Sequence, residues 1–298
     1  MTDVTVVVAT RNRRGQLLEV LGRHTGPVIV VDNGSDDGTP EAVARAYPAA
    51  RVVRLGHNAG AGAARNVGVE LADTPFVAFA DDDSYWAPGA LDEAARLLRA
   101  HPRTGLLAGQ VRVGPQGRLD PVSAAMARAP LGVPPGAPGP AVLGFLACAV
   151  VLRREAFRQV GGFAERLGTY GEEALLAMDL AAAGWHLAYV EQVVAHHLPL
   201  PAGRDRRARH RAEARNRLLT AALRRPVGVV LRAAAEALRE PAGRRGLLDA
   251  GRELGWVLRR RRPLPAPVEA ALRTLERGGP GTPVATPGPA AEAVTAAN

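Results

Sequence analysis

The chain has 298 residues, 47% of them hydrophobic and 4% aromatic, enough for one large or two small domains with a sizeable core. It contains no lysine, so all 38 basic residues are arginine; this reads as composition bias and discounts single surface arginines as functional signals. The net charge of +9 is uneven, since residues 1–200 carry 18 Arg against 20 acids and residues 201–298 carry 20 Arg against 9, which argues against a uniformly basic nucleic-acid binder.

The single cysteine, Cys148, lies in an apolar run. It rules out an intrachain disulfide and fits a reducing, cytoplasmic location. An acidic start at Asp3 followed by a strand-length apolar run predicts no signal peptide. No stretch approaches the roughly 20 apolar residues of a transmembrane helix. The longest candidate, AVLGFLACAVV (141–151), is soon followed by Arg153 and Arg154.

The first hundred residues alternate between two periodicities. VTVVVA (4–9), PVIVVD (27–32), RVVRL (51–55) and FVAFA (76–80) are strand-like runs. Between and after them, RRGQLLEVLG (13–22), DGTPEAVARAY (37–47), AGAARNVGVELA (61–72) and PGALDEAARLLRA (88–100) have helical spacing. This alternation predicts a Rossmann-like, mostly parallel sheet flanked by helices. Ligands of such sheets bind outside the carboxyl ends of the strands, where Thr10, Arg11, Asp32 and Asp81 to Asp83 fall.

Beyond residue 104 the rhythm loosens. PLGVPPGAPGP (130–140) predicts a mobile loop and AVLGFLACAVVL (141–152) an apolar strand-like segment. GEEALLAMDLAAAGW (171–185) and the Arg-rich stretch 204–225 predict helices. Residues 227–277 predict two or three basic amphipathic helices, with Leu247, Leu248, Gly251, Leu254 and Leu258 on one face, and residues 278–298 a disordered tail. The basic helices have two readings. One is docking on an anionic membrane surface; the other is an accessory bundle or a self-association surface with solvated arginines.

Four motifs can carry chemistry. VDNGSDDGT (31–39) is rich in turn formers, yet Asp32 follows a buried strand directly, where a carboxylate can accept a hydrogen bond from a base or ribose. In GHNAGAGAARN (56–66), Gly60 and Gly62 allow close approach at a helix start that could face a phosphate. Arg65 stands where a dinucleotide fingerprint has its third glycine, and is better placed as a cation near a nucleotide. Asp81, Asp82 and Asp83 form either a solvated acidic turn or, as D-x-D, ligands for a cation bound together with diphosphate. Glu172 and Glu173 open a helix, where acids also interact favourably with the dipole.

Together VVVATRNR, VIVVDNGSDDGT, HNAGAGAARN, FVAFADDDSYWAPGAL, VVLRREAFRQVGGFAERL, GEEALLAMDLAAAGW and VVAHH resemble the family-2 glycosyltransferases, in order and spacing over residues 4–200. These are inverting, nucleotide-sugar-dependent enzymes of the GT-A fold. The resemblance implies that Asp32 contacts the nucleobase, that Thr10 and Arg11 line the base pocket, and that Arg65 and Asp82 lie by the donor. It implies a divalent cation, Mn or Mg, at Asp81, Asp83 and His196, with His197 the second choice. Glu173 falls at the place of the catalytic Asp and would act as general base. The implied partners are a nucleotide-sugar donor and an acceptor that is a glycan, a lipid-linked molecule or a small molecule.

The implied organisation is a catalytic domain over 1–225, a basic helical extension over 226–277 and a tail over 278–298. The chain departs from the family in having Glu173 for Asp, and Leu175 and Asp179 at positions commonly charged. A non-catalytic nucleotide- or glycan-binding member is therefore the alternative. The Gln-x-x-Arg-Trp motif of processive members is absent, which favours transfer of a single sugar. A nucleotidyltransferase would need a glycine-rich loop carrying lysine, and none is present.

Overall fold

The computed structural model describes residues 3–199 and 206–277. Its first part runs β1 (Val4–Thr10), α1 (Arg14–Leu21), β2 (Val28–Asp32), α2 (Thr39–Ala46), β3 (Arg51–Arg54), α3 (Ala61–Leu71), β4 (Phe76–Asp81), β5 (Ser84–Trp86), α4 (Ala90–Ala100) and β6 (Thr104–Val113). There follow β7 (Arg118–Leu119), α5 (Pro121–Ala127), β8 (Val150–Arg153), α6 (Arg154–Val160), α7 (Glu172–Ala182), β9 (His186–His197) and α8 (Arg206–Arg224). Four more helices close the described chain: α9 (Val227–Ala237), α10 (Pro241–Gly251), α11 (Leu254–Arg260) and α12 (Ala266–Arg277).

The strands form one sheet in the order β3-β2-β1-β4-β8-β6-β9-β5, with β7 beside β6. From β3 to β4 all neighbours are parallel, as the alternating sequence predicts. The other half is mixed: β8 is antiparallel to both β4 and β6, β9 is parallel to β6, and β5 is antiparallel to β9.

Side chains on a strand alternate between faces, and β1 shows why its run is mostly apolar. Val4, Val6 and Val8 pack with Leu17 and Leu21 of α1 and with Leu91 and Leu98 of α4. Val7 packs on the other face with Ala64 and Val69 of α3, Phe157 of α6 and Leu176 of α7. A strand covered on both faces reads as a near-continuous hydrophobic run, and its one interior polar residue, Thr5, is matched by the Thr74 hydroxyl at 2.7 Å. Helix α3 lies especially close, because a Cβ on Gly68 would sit 2.2 Å from Val7 Cγ1. The same parallel register brings polar residues to one edge: Thr10 pairs with Asp32 across β1 and β2, and Ala9 with Asp81 across β1 and β4.

The segment 141–152 differs from the strand expected there. Only Val150–Arg153 is strand, preceded by a 3-10 turn at Ala147–Ala149. The long strand β6 was hidden because TGLLAGQVRV carries two glycines, each marking a close approach. A Cβ on Gly105 would meet Trp185 at 2.9 Å, and one on Gly109 the Val193 carbonyl at 2.4 Å.

Past residue 225 the chain folds back onto the sheet domain. Leu219 and Leu223 of α8 and Val257 of α11 pack with Leu167 and Leu175. Leu272 and Leu275 of α12 pack with Met178 of α7. The single apolar face expected over 247–258 is split because α10 ends at Gly251 and α11 starts at Leu254. Leu247 consequently turns inward against Ala233 and Ala237, while Leu248, Leu254 and Leu258 are exposed. No helix among the described residues is long and apolar enough to cross a membrane. The tail expected to be disordered, 278–298, lies outside the described residues.

Candidate active site

The site is built on the carboxyl edge of β1, β2 and β4. Thr10 and Asp32 are buried as the last residues of their strands. Asp32 Oδ2 accepts the Ser35 N–H at 3.1 Å, while Oδ1 is buried without a hydrogen-bond partner. A buried carboxylate oxygen left unmatched is costly, and a ligand donor arriving at the strand edge would satisfy it. The loops after β1 and β2 are stitched together by Asn12, which donates its N–H to Ser35 Oγ and accepts the Asp36 N–H, both at 2.9 Å. Arg11 leads into this seam and is exposed.

The acidic triplet is a turn held at both ends. Asp81 donates its N–H to Ser84 Oγ at 2.8 Å, and Leu198 donates its N–H to the Asp83 carbonyl at 2.8 Å. Within the triplet Asp82 accepts the Thr10 hydroxyl at 3.1 Å. Burial, then the charges of Asp83 and Asp81, push its pKa up to about 7. Asp82 thus faces Thr10 instead of lying idle between its neighbours.

Arg65 sits beneath this turn with 5% exposure. One end of its guanidinium meets Asp81 at 2.8 Å and the other meets Glu172 at 3.1 Å. Burial works against its charge, but Asp81, then Glu172 and Glu173, raise its pKa further above the usual arginine range. Arg65 is expected near the nucleotide, and here both ends of its fork bond carboxylates. Arg65 acts on the site through Asp81 and Glu172.

The helix start beside it is closed in the same way. Ala61 and Gly62 donate their N–H groups to Thr169 Oγ1 and the Gly168 carbonyl, at 3.3 and 3.4 Å. The backbones touch, since a Cβ on Gly60 would sit 2.8 Å from Gly168 Cα. The glycines of GHNAGAGAARN serve a loop-to-helix contact, and the first turn of α3 presents no open phosphate cradle.

The first turn of α7 divides the labour between its two glutamates. Glu172 is 2% exposed and is spent on Arg65. Its neighbour Glu173 makes no such pair. Burial, then the charge of Glu172, push the Glu173 pKa up to about 8. A carboxylate raised in this way is suited to holding and releasing a proton near neutrality.

Of the two histidines at the end of β9, the structure sets His197, not His196, against the triplet. His197 Nε2 lies 3.2 Å from Asp83 Oδ1. Burial opposes its charge, but the hydrogen bond to Asp83 and the charges of Asp83 and Asp81 raise its pKa overall. His196 instead stacks on Tyr85 at 4.9 Å between ring centroids, and burial, then Arg112 and Arg23, lower its pKa. The reason is the register of β5 on β9, which pairs Ser84 with His197 and Tyr85 with His196. A three-residue strand gives no sequence signal from which that register could be read.

Among the described residues no group of three or more His, Cys, Asp or Glu converges as a preformed metal centre. Asp83 and His197 nevertheless supply adjoining ligand-type groups. A hard cation bound with a diphosphate takes only one or two protein carboxylates and completes its shell from phosphate oxygens and water, so this donor set fits a divalent cation that arrives with its nucleotide.

The description Glycosyl transferase family 2 matches residues 5–161, just over half of the chain. The chain belongs to glycosyl transferase family 2. It is a glycosyltransferase of the GT-A fold. Over 245 residues it is 32% identical to N-acetylglucosaminyl-diphospho-decaprenol L-rhamnosyltransferase of Mycobacterium tuberculosis, covering 69% of this chain and 80% of the relative. It is 34% identical over 197 residues to the pre-mycofactocin glycosyltransferase of the same organism, covering 63% of this chain and 41% of that one. Among solved structures, the mannosyltransferase PcManGT from Pyrobaculum calidifontis, in complex with GDP-Man and Mn2+, superposes with a TM-score of 0.57 at 22% identity, covering 99% of this chain and 78% of that one. TarS 1–349 of S. aureus, in complex with UDP-GlcNAc, gives 0.56 at 20% identity over 73% of this chain and 66% of that one.

Between the ordinary glutamate pKa of 4.5 and about 8, the folded glycosyltransferase keeps a Glu173 proton that the unfolded chain has released. Stability therefore falls as pH rises through that window. Glu173→Gln removes the loss, so its melting temperature relative to wild type is expected to climb between about pH 5 and about pH 8.5. Thermal denaturation at the two pH values checks this, and a pH-independent difference would mean that Glu173 ionises normally in the fold.

Proposed function

We propose that this glycosyltransferase moves one sugar from a nucleoside-diphosphate sugar to an acceptor hydroxyl by direct displacement, inverting the anomeric centre. The observation that carries the reading is that one buried cation, Arg65, ties the acidic turn at Asp81 to Glu172 in the first turn of α7, where the adjacent Glu173 holds a proton. The nucleobase end of the donor lies at Thr10, Arg11 and Asp32, whose Oδ1 lacks a partner. The diphosphate end lies at the triplet. Asp83 and His197, with Asp81 alongside, would hold a divalent cation, Mn or Mg, and such an ion when bound offsets the charge of the diphosphate. Glu173 takes the proton of the acceptor hydroxyl as that oxygen attacks the anomeric carbon, and the nucleoside diphosphate leaves.

For the acceptor we propose a lipid-linked molecule. The mycobacterial relative is named for a diphospho-decaprenol substrate. Among the described residues, six of the eight exposed large hydrophobics lie in the C-terminal helical region, at Val227, Leu231, Leu238, Leu248, Leu254 and Leu258, and the other two are Leu119 and Val133. Exposed arginines, among them Arg232, Arg245 and Arg259, are interspersed with them. Apolar side chains among cations suit the interface of an anionic bilayer.

Glu173→Gln is expected to lower transfer by about 10²–10⁴-fold, the usual worth of a fitted base, with nucleotide-sugar binding retained. Single-turnover assays across a panel of donors check it, and unchanged turnover would remove Glu173 from the mechanism. Replacing Leu254 and Leu258 by serine in the full chain is expected to abolish co-flotation with vesicles containing anionic phospholipid. Equal flotation of both proteins, or flotation on neutral vesicles alone, would contradict membrane docking through these helices.

A further inference from the structure

The backbone that delivers Glu173 is unusual. Tyr170 has φ +74°, a left-handed conformation that costs a bulky residue energy, and Gly171 follows at +85°. Just upstream, Gly168 and Thr169 close over the start of α3. Something must hold residues 166–171 in this shape, and the contacts come from α8. Asn216 is 1% exposed, and its side-chain amide donates to the carbonyls of Leu167 at 2.8 Å, Thr169 at 3.2 Å and Tyr170 at 2.7 Å. An amide has two hydrogens, so the three carbonyls share them and the backbone wraps around one group. The amide oxygen is fixed in turn by Arg215 at 2.8 Å, and the same guanidinium donates to the Arg166 carbonyl at 2.9 Å. Arg209, about two turns earlier on α8, lies over the Tyr170 ring at 5.4 Å.

We propose that Asn216 is a positioning residue for the transfer reaction: by gathering the carbonyls of the loop ahead of α7, it fixes where the Glu173 carboxylate stands. This rests on the reading of Glu173 as the base. Asn216 touches neither Glu173 nor the acidic turn in the contacts described, so its influence runs through the backbone of 167–171. Displacement of a reacting group by about 1 Å can cost on the order of 10²-fold in rate. A loop that relaxes when its hub is removed would therefore impair the chemical step while leaving the donor's strand-edge contacts at Thr10 and Asp32 in place.

The test uses full-length Asn216→Ala and Asn216→Asp, the second keeping the shape while replacing the donor by an acceptor. Each is measured for cooperative melting, for amide hydrogen exchange over 166–173, and for donor KM and kcat. We expect faster exchange confined to that segment, kcat lower by about ten- to a hundredfold and donor KM within about threefold of wild type. Unchanged exchange in the segment overturns the proposal. So does normal kcat despite faster exchange, a parallel collapse of exchange protection across β1 and β2, or failure of both variants to fold, since each assigns Asn216 to general stability or to nothing. If wild type transfers sugar from no donor, the reading of Glu173 fails instead, and the exchange measurement alone still decides whether Asn216 holds the loop.

Discussion

Arg65 is surrounded by carboxylates that could not share this space without it. Asp81, Asp82 and Asp83 turn at the end of one strand, and Glu172 and Glu173 open the helix that packs beside it. Unit charges about 4 Å apart interact by about 4 kcal/mol at the effective dielectric of a protein near its surface, so such a cluster would spread apart unless a cation sat within it. The guanidinium suits that place, being planar, permanently charged and able to bond two carboxylates from opposite ends. It bonds Asp81 and Glu172, while Asp82 pairs with Thr10 and Asp83 with His197. Around that cation the end of β4 and the first turn of α7 are held together.

The rest of the fold serves this arrangement from two directions. From the sheet, the parallel register of β1, β2 and β4 places Thr10, Asp32 and Asp81 on one edge. From the helical side, α8 fixes the loop 166–171, which both covers the start of α3 and leads into the first turn of α7. The C-terminal helices are thus packed against the helix that opens with Glu172 and Glu173. Val257 and Leu223 pack against Leu175 of α7 while Leu254 and Leu258 of the same region face outward.

What could be read from the sequence, and what could not, follows the range of the interactions. The strand–helix alternation up to residue 100 was legible because each element carries its own apolar period and its own turn residues, and the family followed from motifs lying on those elements. Asp32 and the acidic turn stood out as candidates because a charge directly after a buried strand needs an explanation. The bridge made by Arg65 could not be read because its partner Glu172 lies 107 residues away, and no local pattern tells a cation that faces a ligand from one that bridges two carboxylates. The choice between His196 and His197 depended on pairing with a strand of three residues. Strand β6 was missed because its glycines answer to side chains and carbonyls of other elements. The hub at Asn216 lay in a stretch that composition marked only as arginine-rich and helical.

The central claim is that Arg65 and Glu172 form one buried unit on which the site is assembled. A double-mutant cycle in urea unfolding tests it most directly, using Arg65→Met, Glu172→Gln and the pair. Removing one partner of a buried ion pair costs about 3–5 kcal/mol because the other charge is left uncompensated. The account predicts that the double variant loses far less than the sum of the two single losses, with Glu172→Gln the milder single change because Asp81 still pairs with Arg65. Additive losses would mean that the two side chains stabilise the fold independently, and the bridge described here would not be what holds the site together.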